Sequence, residues 1–305
     1  MNTNHEELRL SDDEIKNIIA PFIHEAMPVE SEVWKALEKG VSSDQVRRLL
    51  RRKLLGSWIH GFRRTQKGIK ESYSRQWQNQ YFEDQLNTDG PLVPLRWCDT
   101  GYKARAIAAK RVYLAYIARV IRQFMPGKVI EVGAGNGLNL LLLAAHFPAI
   151  DFTGAELTEG GVKVSREAQS ADVLSAALQD FSPFDVLDAS AHKRIKFDLG
   201  NATCLGYEDN AFDLCFTALA LEQMEEVRRP AIEEIARITG NIVVMVEPFR
   251  DWNNEGAYRN YIRANDYFQG AIADLDEHGL EVLFASADMP HKLTLWPGIV
   301  VARVK

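Results

Sequence analysis

The sequence predicts an α/β fold in which helices cover both faces of a mostly parallel sheet, with a helical appendage at the N-terminus. From residue 101 onward, short apolar segments rich in branched residues alternate with segments at helical spacing, which is the pattern of a parallel sheet. One strand-to-helix junction, VIEVGAGNGLNLLLLAAHFP at residues 129–148, is rich in glycine. The first hundred residues lack this alternation, and we therefore treat them separately.

The bulk composition is that of a globular protein. The chain has 305 residues, 26% of them charged, and a formal net charge of -6, which argues against a protein that coats nucleic acid over its whole surface. Cys98, Cys204 and Cys215 are widely spaced, so neither a disulfide framework nor a metal site is indicated, and we expect buried or idle thiols. The polar N-terminus and the absence of a long apolar run predict a cytoplasmic protein without a transmembrane segment.

The N-terminal appendage is predicted to be helical. Ser11 and the acids after it mark a helix start, and apolar residues then recur at helical spacing until Pro21 and Pro28 break the region into short helices. A second, amphipathic helix is expected from Ser43, with an apolar stripe at Val46, Leu49, Leu50, Leu54 and Ile59. The turn-rich segment at residues 87–94 suggests a boundary, which gives an appendage at 1–100 and an α/β domain at 101–305.

The α/β domain is predicted to contain seven strands. A long helix at 106–124 precedes the first strand at 128–133, and another helix follows the glycine-rich turn. Further strands are expected at 150–156, 194–199, 212–218 and 241–248, and a helical region with Tyr258, Tyr261, Tyr267 and Phe268 comes next. Segments at 280–285 and 293–304 are separated by a short connector, so we expect them to pair as an antiparallel edge.

The glycine-rich turn has the spacing of a nucleotide site without phosphates. Glycines stand at 133, 135 and 137, whereas a dinucleotide site needs one at 138, where this chain has Leu138. Glu131 would repel a pyrophosphate but attract an ammonium group. Glu156, at the end of the second strand, is placed to accept hydrogen bonds from ribose hydroxyls. The ligand that these features indicate is S-adenosylmethionine.

These motifs resemble those of the class I S-adenosylmethionine-dependent methyltransferases, over residues 102–305. EVGAGNG matches the loop that holds the methionine part, which implies roles for Glu131, Gly133, Ala134, Gly135 and Gly137. GAELTE implies that Glu156 binds the ribose and Leu157 packs on adenine. The run GNATCLGYEDNAFDLCFTALALEQM implies adenine contacts from Asn201 and Ala202, and a position beneath the sulfonium for residues 217–219, including Thr217. The resemblance thus implies a Rossmann-like seven-stranded sheet with S-adenosyl-L-methionine as the cofactor.

Two positions depart from the family pattern. Asn201 stands where aspartate is frequent, and its amide carbonyl can still accept a hydrogen bond from adenine. Gln223 stands where histidine is frequent, which puts histidine chemistry at that position in doubt.

Methyl transfer needs the acceptor to be aligned behind the methyl group, and a hydroxyl acceptor also needs a base. We expect Glu222 or Glu247 as that base, with His291 as a more remote candidate, although each also has a structural interpretation. Tyr102 and Arg105 are expected to reach the methionine carboxylate. The stretches at 91–105 and 249–261 mix aromatic residues with arginines and amides, so we expect them to line a pocket for a small polar acceptor such as a saccharide or a hydroxylated natural product.

A basic segment in the appendage leaves other partners open. Arginines and lysines dominate residues 41–80: Arg47, Arg48, Arg51, Arg52, Lys53, Arg63, Arg64, Lys67, Lys70 and Arg75. Nucleic acid or an anionic membrane surface could bind to these residues, or the acids of the first forty residues could pair with them. The leading interpretation is a small-molecule O-methyltransferase. The alternatives are a methyltransferase for nucleic acid or protein, for which the sequence has no Asn-Pro-Pro-Tyr-type loop, and a non-catalytic scaffold. The oligomeric state is open.

Overall fold

The computed structural model of the chain describes residues 5–56, 68, 70–73, 86 and 91–305. Its main sheet has seven strands in the order β6-β5-β4-β7-β8-β11-β9. Their bounds are β4 Lys128–Val132, β5 Asp151–Glu156, β6 Lys196–Leu199, β7 Phe212–Ala218, β8 Thr239–Glu247, β9 Leu280–Ser286 and β11 Gly298–Val304. The strands from β6 to β8 pair in parallel, and β11 pairs antiparallel with both β8 and β9. The predicted fold class and the antiparallel edge are confirmed.

Helices cover both faces of this sheet, as its apolar strands require. On one face, α3 (Ala108–Phe124) buries Val112, Tyr116 and Ile117 in the larger core cluster. On the other, α7 (Arg228–Ile238) buries Ile232 and Ile235. The remaining helices of the main domain are α4 Leu138–His146, α5 Glu159–Gln169, α6 Ala176–Phe181 and α8 Gly256–Asn265.

The strand order reverses at β4. The chain moves from β4 to β5 and β6 on one side and then returns to place β7 and β8 on the other. At such a reversal the connections after neighbouring strands diverge and leave a crevice at their carboxyl ends, where ligands bind in open α/β sheets. The glycine-rich turn follows β4 directly, so it lies at this crevice.

The N-terminal region contains strands that the sequence did not predict. Ser11 caps α1 (Asp12–Ile19) with a capping box, as expected. The segment between the two prolines, however, is a strand, β1 (Ile23–Pro28), so the prediction of short helices there is wrong. It pairs antiparallel with β3 (Thr100–Arg105), which also pairs with β2 (Leu92–Trp97). The partner that stabilises β1 is more than seventy residues away, which explains why local periodicity did not indicate it.

This small sheet joins both ends of the chain. Its order is β1-β3-β2-β10, and β10 (His291–Lys292) comes from the C-terminal part. The hairpin of β2 and β3 spans the predicted boundary at residue 100, so the two predicted domains share a sheet. The boundary itself stays a prediction.

The second helix of the appendage, α2 (Glu32–Gly56), starts earlier than predicted and packs against α8. The expected apolar stripe is not buried among the described side chains, because Val46 and Leu50 are 42% and 53% exposed. Arg52 forms an ion pair with Asp266, just after α8. The side chains of Leu54, Ile59, Lys53, Arg63, Arg64, Lys67 and Arg75 lie outside the described part of the chain.

Two further sequence-based expectations concern thiols and membranes. All three cysteines are free; Cys215 is buried, whereas Cys98 and Cys204 are exposed. Within the described residues, every helix is too short or too polar to cross a lipid bilayer.

Candidate functional site

A pocket opens at the carboxyl ends of β4, β5 and β7, which is where ligands bind in open α/β sheets. Eight of the residues predicted to bind the cofactor line it: Glu131, Gly133, Ala134, Gly135, Glu156, Leu157, Asn201 and Ala202. Among the described residues, the pocket is completed by others that include Tyr73, Lys110, Asn139, Leu219, Gln223 and Met224. The crevice predicted from strand order is therefore the pocket that the sequence motifs line.

The glycine loop adopts a backbone that side chains disfavour. Gly133, Gly135 and Gly137 have φ values of 82°, 57° and 78°, in the left-handed region where only glycine is free of steric cost. A Cβ atom on Gly133 would also lie 2.4 Å from the Cβ of Ala220. Gly137 does not line the pocket; it is the N-cap of α4, and its surroundings are filled by Phe197. The loop thus needs glycine for its own shape and for close packing against the chain after β7.

The Glu156 carboxylate ties the loop to the end of β5. Its Oε2 atom accepts a hydrogen bond from the amide of Gly135 at 3.0 Å, and its Oε1 atom accepts from the amide and the hydroxyl of Thr158 at 3.0 and 2.7 Å. Only 8% of the residue is exposed, yet it lines the pocket. The carboxylate is therefore held in one orientation at the pocket wall, in reach of a ligand that enters it.

Glu131 places a buried carboxylate in the same pocket. Its Oε1 atom accepts a hydrogen bond from the side-chain amide of Asn139 at 2.5 Å, whereas Oε2 has no hydrogen-bond partner. Burial raises the pKa of Glu131, and the Asn139 hydrogen bond and the charge of Lys110 oppose that rise. An orphaned oxygen on a buried acid is costly, so a ligand with a cationic donor fits this wall.

Lys110 is the pocket residue that the sequence interpretation missed. It lies in the first turn of α3 and lines the pocket near Glu131. Burial lowers its pKa, and the charge of Glu131 works in the opposite direction. An ammonium and a carboxylate thus stand together in one pocket, a pair suited to the carboxylate and ammonium of an amino acid. The available signal was a basic pair, Lys110 and Arg111, in an otherwise apolar helix start, AIAAKRVYL.

Tyr102 and Arg105, expected to bind the methionine carboxylate, do not line this pocket. Both lie on β3, where Tyr102 pairs with Ala26 of β1 and Leu95 of β2, and Arg105 with Leu92 of β2. The unforeseen small sheet therefore holds them, while Lys110, one helical turn beyond that strand, reaches the pocket.

The adenine side of the pocket carries the expected residues in a specific geometry. The side-chain oxygen of Asn201 accepts hydrogen bonds from the amide and the hydroxyl of Thr203 at 3.1 and 3.0 Å. This oxygen, which we expected to meet adenine, therefore also fixes a local turn. At the end of β7, Thr217 is fully buried and does not line the pocket, whereas Leu219 does. Leu219 has a φ of 57°, a strained value for a leucine that is typical of functional sites.

The two predicted bases lie behind the pocket wall. Glu247 is fully buried, and its carboxylate accepts hydrogen bonds from the backbone amides of Ala220, Leu221 and Glu222 at 3.0 to 3.1 Å. Burial, with the charge of Glu222, raises its pKa to about 8. These contacts make it the anchor of the short 3-10 turn after β7, and the predicted role as a base has no support in this geometry.

Glu222 is 8% exposed and accepts a hydrogen bond at 2.5 Å from Gln223, which does line the pocket. His291 lies in β10 of the small sheet and stacks on Trp296, with ring centroids 4.3 Å apart. It lines a separate cleft and not the pocket at the glycine loop.

Comparisons with known proteins agree with the fold. Residues 130–241 match the sequence model of a family described as "Methyltransferase domain". No curated protein sequence matches the chain. Among solved structures, the [4+2]-cyclase SpnF is similar at a TM-score of 0.51 and 18% identity, over 78% of this chain and 96% of that one.

Two other solved structures are similar at lower scores. Magnesium protoporphyrin IX methyltransferase (ChlM) from Synechocystis PCC 6803, with bound S-adenosylmethionine, gives a TM-score of 0.48 and 13% identity, over 77% of this chain and 97% of that one. A putative O-methyltransferase from Nostoc punctiforme PCC 73102 gives a TM-score of 0.47 and 16% identity, over 65% of this chain and 58% of that one.

Proposed function

We propose that the chain, whose residues 130–241 match a family described as a methyltransferase domain, is a class I S-adenosylmethionine-dependent methyltransferase that methylates an oxygen atom of a small polar acceptor. When bound, S-adenosylmethionine supplies a methyl group activated on a sulfonium. The observation that carries the cofactor assignment is the buried, orphaned Oε2 atom of Glu131 in the pocket, beside Lys110. It matches the ammonium of an amino-acid moiety and disfavours a pyrophosphate.

We assign the other cofactor contacts from the pocket wall. Glu156 would accept hydrogen bonds from the ribose hydroxyls, because its carboxylate is fixed in orientation by Gly135 and Thr158. Leu157 and Ala202 would pack on adenine, with Asn201 at its edge. Lys110 takes the place of Tyr102 and Arg105 as the group for the methionine carboxylate.

A small acceptor is supported by what covers the pocket. Tyr73, from the first hundred residues, is one of its lining residues, and α2 packs on α8 beside the same edge of the sheet. A site covered in this way suits a small molecule better than a duplex or a folded protein. Its chemistry would depend mainly on alignment of the acceptor behind the methyl group.

Isothermal titration with S-adenosylhomocysteine tests the cofactor, and the Glu156→Ala variant is the control. Transfer of an isotopically labelled methyl group to small-molecule and macromolecular fractions of a cell extract then tests the acceptor. Label in an alkali-stable small molecule would support the proposal. Label only in protein or nucleic acid, or the absence of cofactor binding at hundred-micromolar concentrations, would overturn it.

A further inference from the structure

A second cleft, with about 1140 Å³ of empty space, lies beyond the cofactor pocket. Five ring side chains line it, and we call it the aromatic cleft: Trp97, Trp252, Tyr258, His291 and Trp296. Among the residues that the structure describes, it shares no lining residue with the cofactor pocket. Its walls come from the β2–β3 hairpin, the segment between β8 and α8, and residues 285–296, so it includes parts of both stretches that the sequence suggested for an acceptor.

The rings of the aromatic cleft form a platform for stacking. His291 stacks on Trp296 at an interplanar angle of 11°, and Tyr258 lies 5.8 Å from both ring centroids. The indole N–H groups donate within the protein, from Trp97 to Asp288 at 2.8 Å and from Trp296 to the carbonyl of Ala287 at 2.9 Å. Trp97 and Trp296 therefore offer apolar surface for stacking, while their N–H groups are already used within the protein.

His291 adds a hydrogen-bond acceptor without a partner. Its Nδ1 atom lies 3.1 Å from the carbonyl oxygen of Met289, and because a carbonyl only accepts, Nδ1 carries the proton. The Nε2 atom is then an acceptor, and it has no hydrogen-bond partner in a residue that is only 3% exposed. A ligand that supplied a hydroxyl or N–H donor here, after a small movement of the covering rings, would satisfy it.

The charges of the aromatic cleft favour an uncharged ligand. Its four charged lining residues are two arginines and two aspartates. Arg96 is paired with Glu38 at 3.0 Å, and Arg9 with Asp288 at 3.9 Å. An uncharged ligand would leave both pairs intact.

The aromatic cleft lies along the same sheet edge as the cofactor pocket. Ala218 of the pocket is paired with Val246 of β8, Glu247 of β8 with Gly298 of β11, and Ile299 of β11 with Ser286 of the cleft. These three strand spacings separate the two sites by about 14 Å. Helix α8 extends between the two sites, because Tyr258 lines the cleft and Tyr261, one turn later, lies near Glu222. Burial raises the pKa of Tyr261, and the charge of Glu222 adds to that rise. Glu222 is in turn hydrogen-bonded to the pocket residue Gln223.

We propose that the aromatic cleft binds the end of the methyl acceptor remote from the reacting oxygen, and that this end is an uncharged ring with a hydrogen-bond donor such as a hydroxyl group. The inference rests on the proposed function and adds the substrate class: an elongated, neutral, hydroxylated ring compound that spans about 14 Å along the sheet edge.

Saturation-transfer NMR on the full chain, with the cofactor pocket saturated by S-adenosylhomocysteine, tests the aromatic cleft. The probes are 4-ethylphenol, its methyl ether 4-ethylanisole, which has no donor, and methyl β-D-glucopyranoside. We expect one of the two hydroxylated probes to bind, which separates an aromatic from a saccharide ring. His291→Phe, which keeps a ring but loses Nε2, should weaken the binding of that probe at least fivefold and change the affinity for 4-ethylanisole less than twofold.

Trp296→Ala and Tyr258→Ala, checked for folding by circular dichroism, should weaken the binding of every probe that binds the wild-type protein. The proposal is overturned if neither hydroxylated probe binds the wild-type protein, or if binding is equal in the wild-type protein and in these variants. Cofactor binding is read separately. Binding of the ring probes is also measured in the Glu156→Ala variant. If the wild-type protein binds a ring probe at the aromatic cleft but does not bind S-adenosylhomocysteine, the proposed function is refuted and the cleft is retained as a ring-binding site.

Discussion

The Oε2 atom of Glu156 accepts a hydrogen bond from the backbone amide of Gly135 at 3.0 Å, which links the end of β5 to the middle of the glycine loop. The same carboxylate accepts from Thr158 at the start of α5. One side chain therefore organises two neighbouring turns of the pocket and stands ready for a ribose. The residue that would recognise the ligand also holds together the loop that surrounds it.

Glu156→Ala should weaken the binding of S-adenosylhomocysteine by about tenfold to hundredfold, because a hydrogen bond to a charged group contributes about 1.5–3 kcal/mol. The variant should also lose about 1–3 kcal/mol of unfolding free energy, since the amides of Gly135 and Thr158 lose their acceptor. Calorimetric titration and urea denaturation measure the two effects. Unchanged cofactor affinity would contradict the assignment of Glu156 to the ribose.

Lys110→Met should separate the amino-acid end of the cofactor from its nucleoside end. We expect S-adenosylhomocysteine to bind roughly tenfold more weakly, about 1.4 kcal/mol, because the ion pair with the ligand carboxylate is lost. Methylthioadenosine, which has no amino-acid group, should bind as it does to the wild-type protein, and Lys110→Arg should restore much of the affinity. Equal weakening of both ligands would show that Lys110 has a structural role only.

Gly133→Ala should destabilise the protein and abolish cofactor binding. The new Cβ would lie 2.4 Å from the Cβ of Ala220, at a φ of 82°, and the left-handed backbone alone costs roughly 1–2 kcal/mol. Gly206→Ala is the matched control, because its Cβ would meet nothing within 4 Å and should change stability by less than about 0.5 kcal/mol. Denaturation and titration of both variants check this, and similar behaviour of the two would contradict it.

His291 should make the stability of the protein depend on pH. Burial, helped by the charge of Arg96, lowers its pKa from 6.5 to about 4. The unfolded chain therefore takes up a proton between these values while the folded protein does not, so stability falls as the pH drops from 6.5 towards 4.

Between pH 7 and pH 5 this linkage amounts to about 2 kcal/mol. Burial raises the pKa of Glu247 to about 8 and acts in the opposite direction, so the comparison must be with His291→Phe, which lacks only the histidine contribution. Denaturation of both proteins at the two pH values measures the difference. An identical loss of stability in both would mean that His291 titrates normally.

Much of the cofactor site could be predicted from local sequence. Gly133 and Gly135 are recognisable because a strand followed by this turn requires glycine, and Glu131 and Glu156 because they lie at the carboxyl ends of neighbouring parallel strands. Ala218 lines the pocket as part of the stretch predicted to lie beneath the sulfonium, whereas Thr217 in that stretch faces the buried interior. Side chains of neighbouring strand residues point to opposite faces of the sheet, which decides between Thr217 and Ala218.

The sequence by itself determined the α/β fold, the order of its elements and the acids and glycines of the loop, because each depends on residues adjacent in the chain. Only the tertiary structure decided that residues 23–28 form a strand, that the Glu247 carboxylate accepts hydrogen bonds from backbone amides, and that Lys110 and not Arg105 reaches the pocket. The partners of β1 are 72 to 81 residues away and those of Glu247 are 25 to 27 residues away, and pairing over such distances leaves no periodic signal in the sequence.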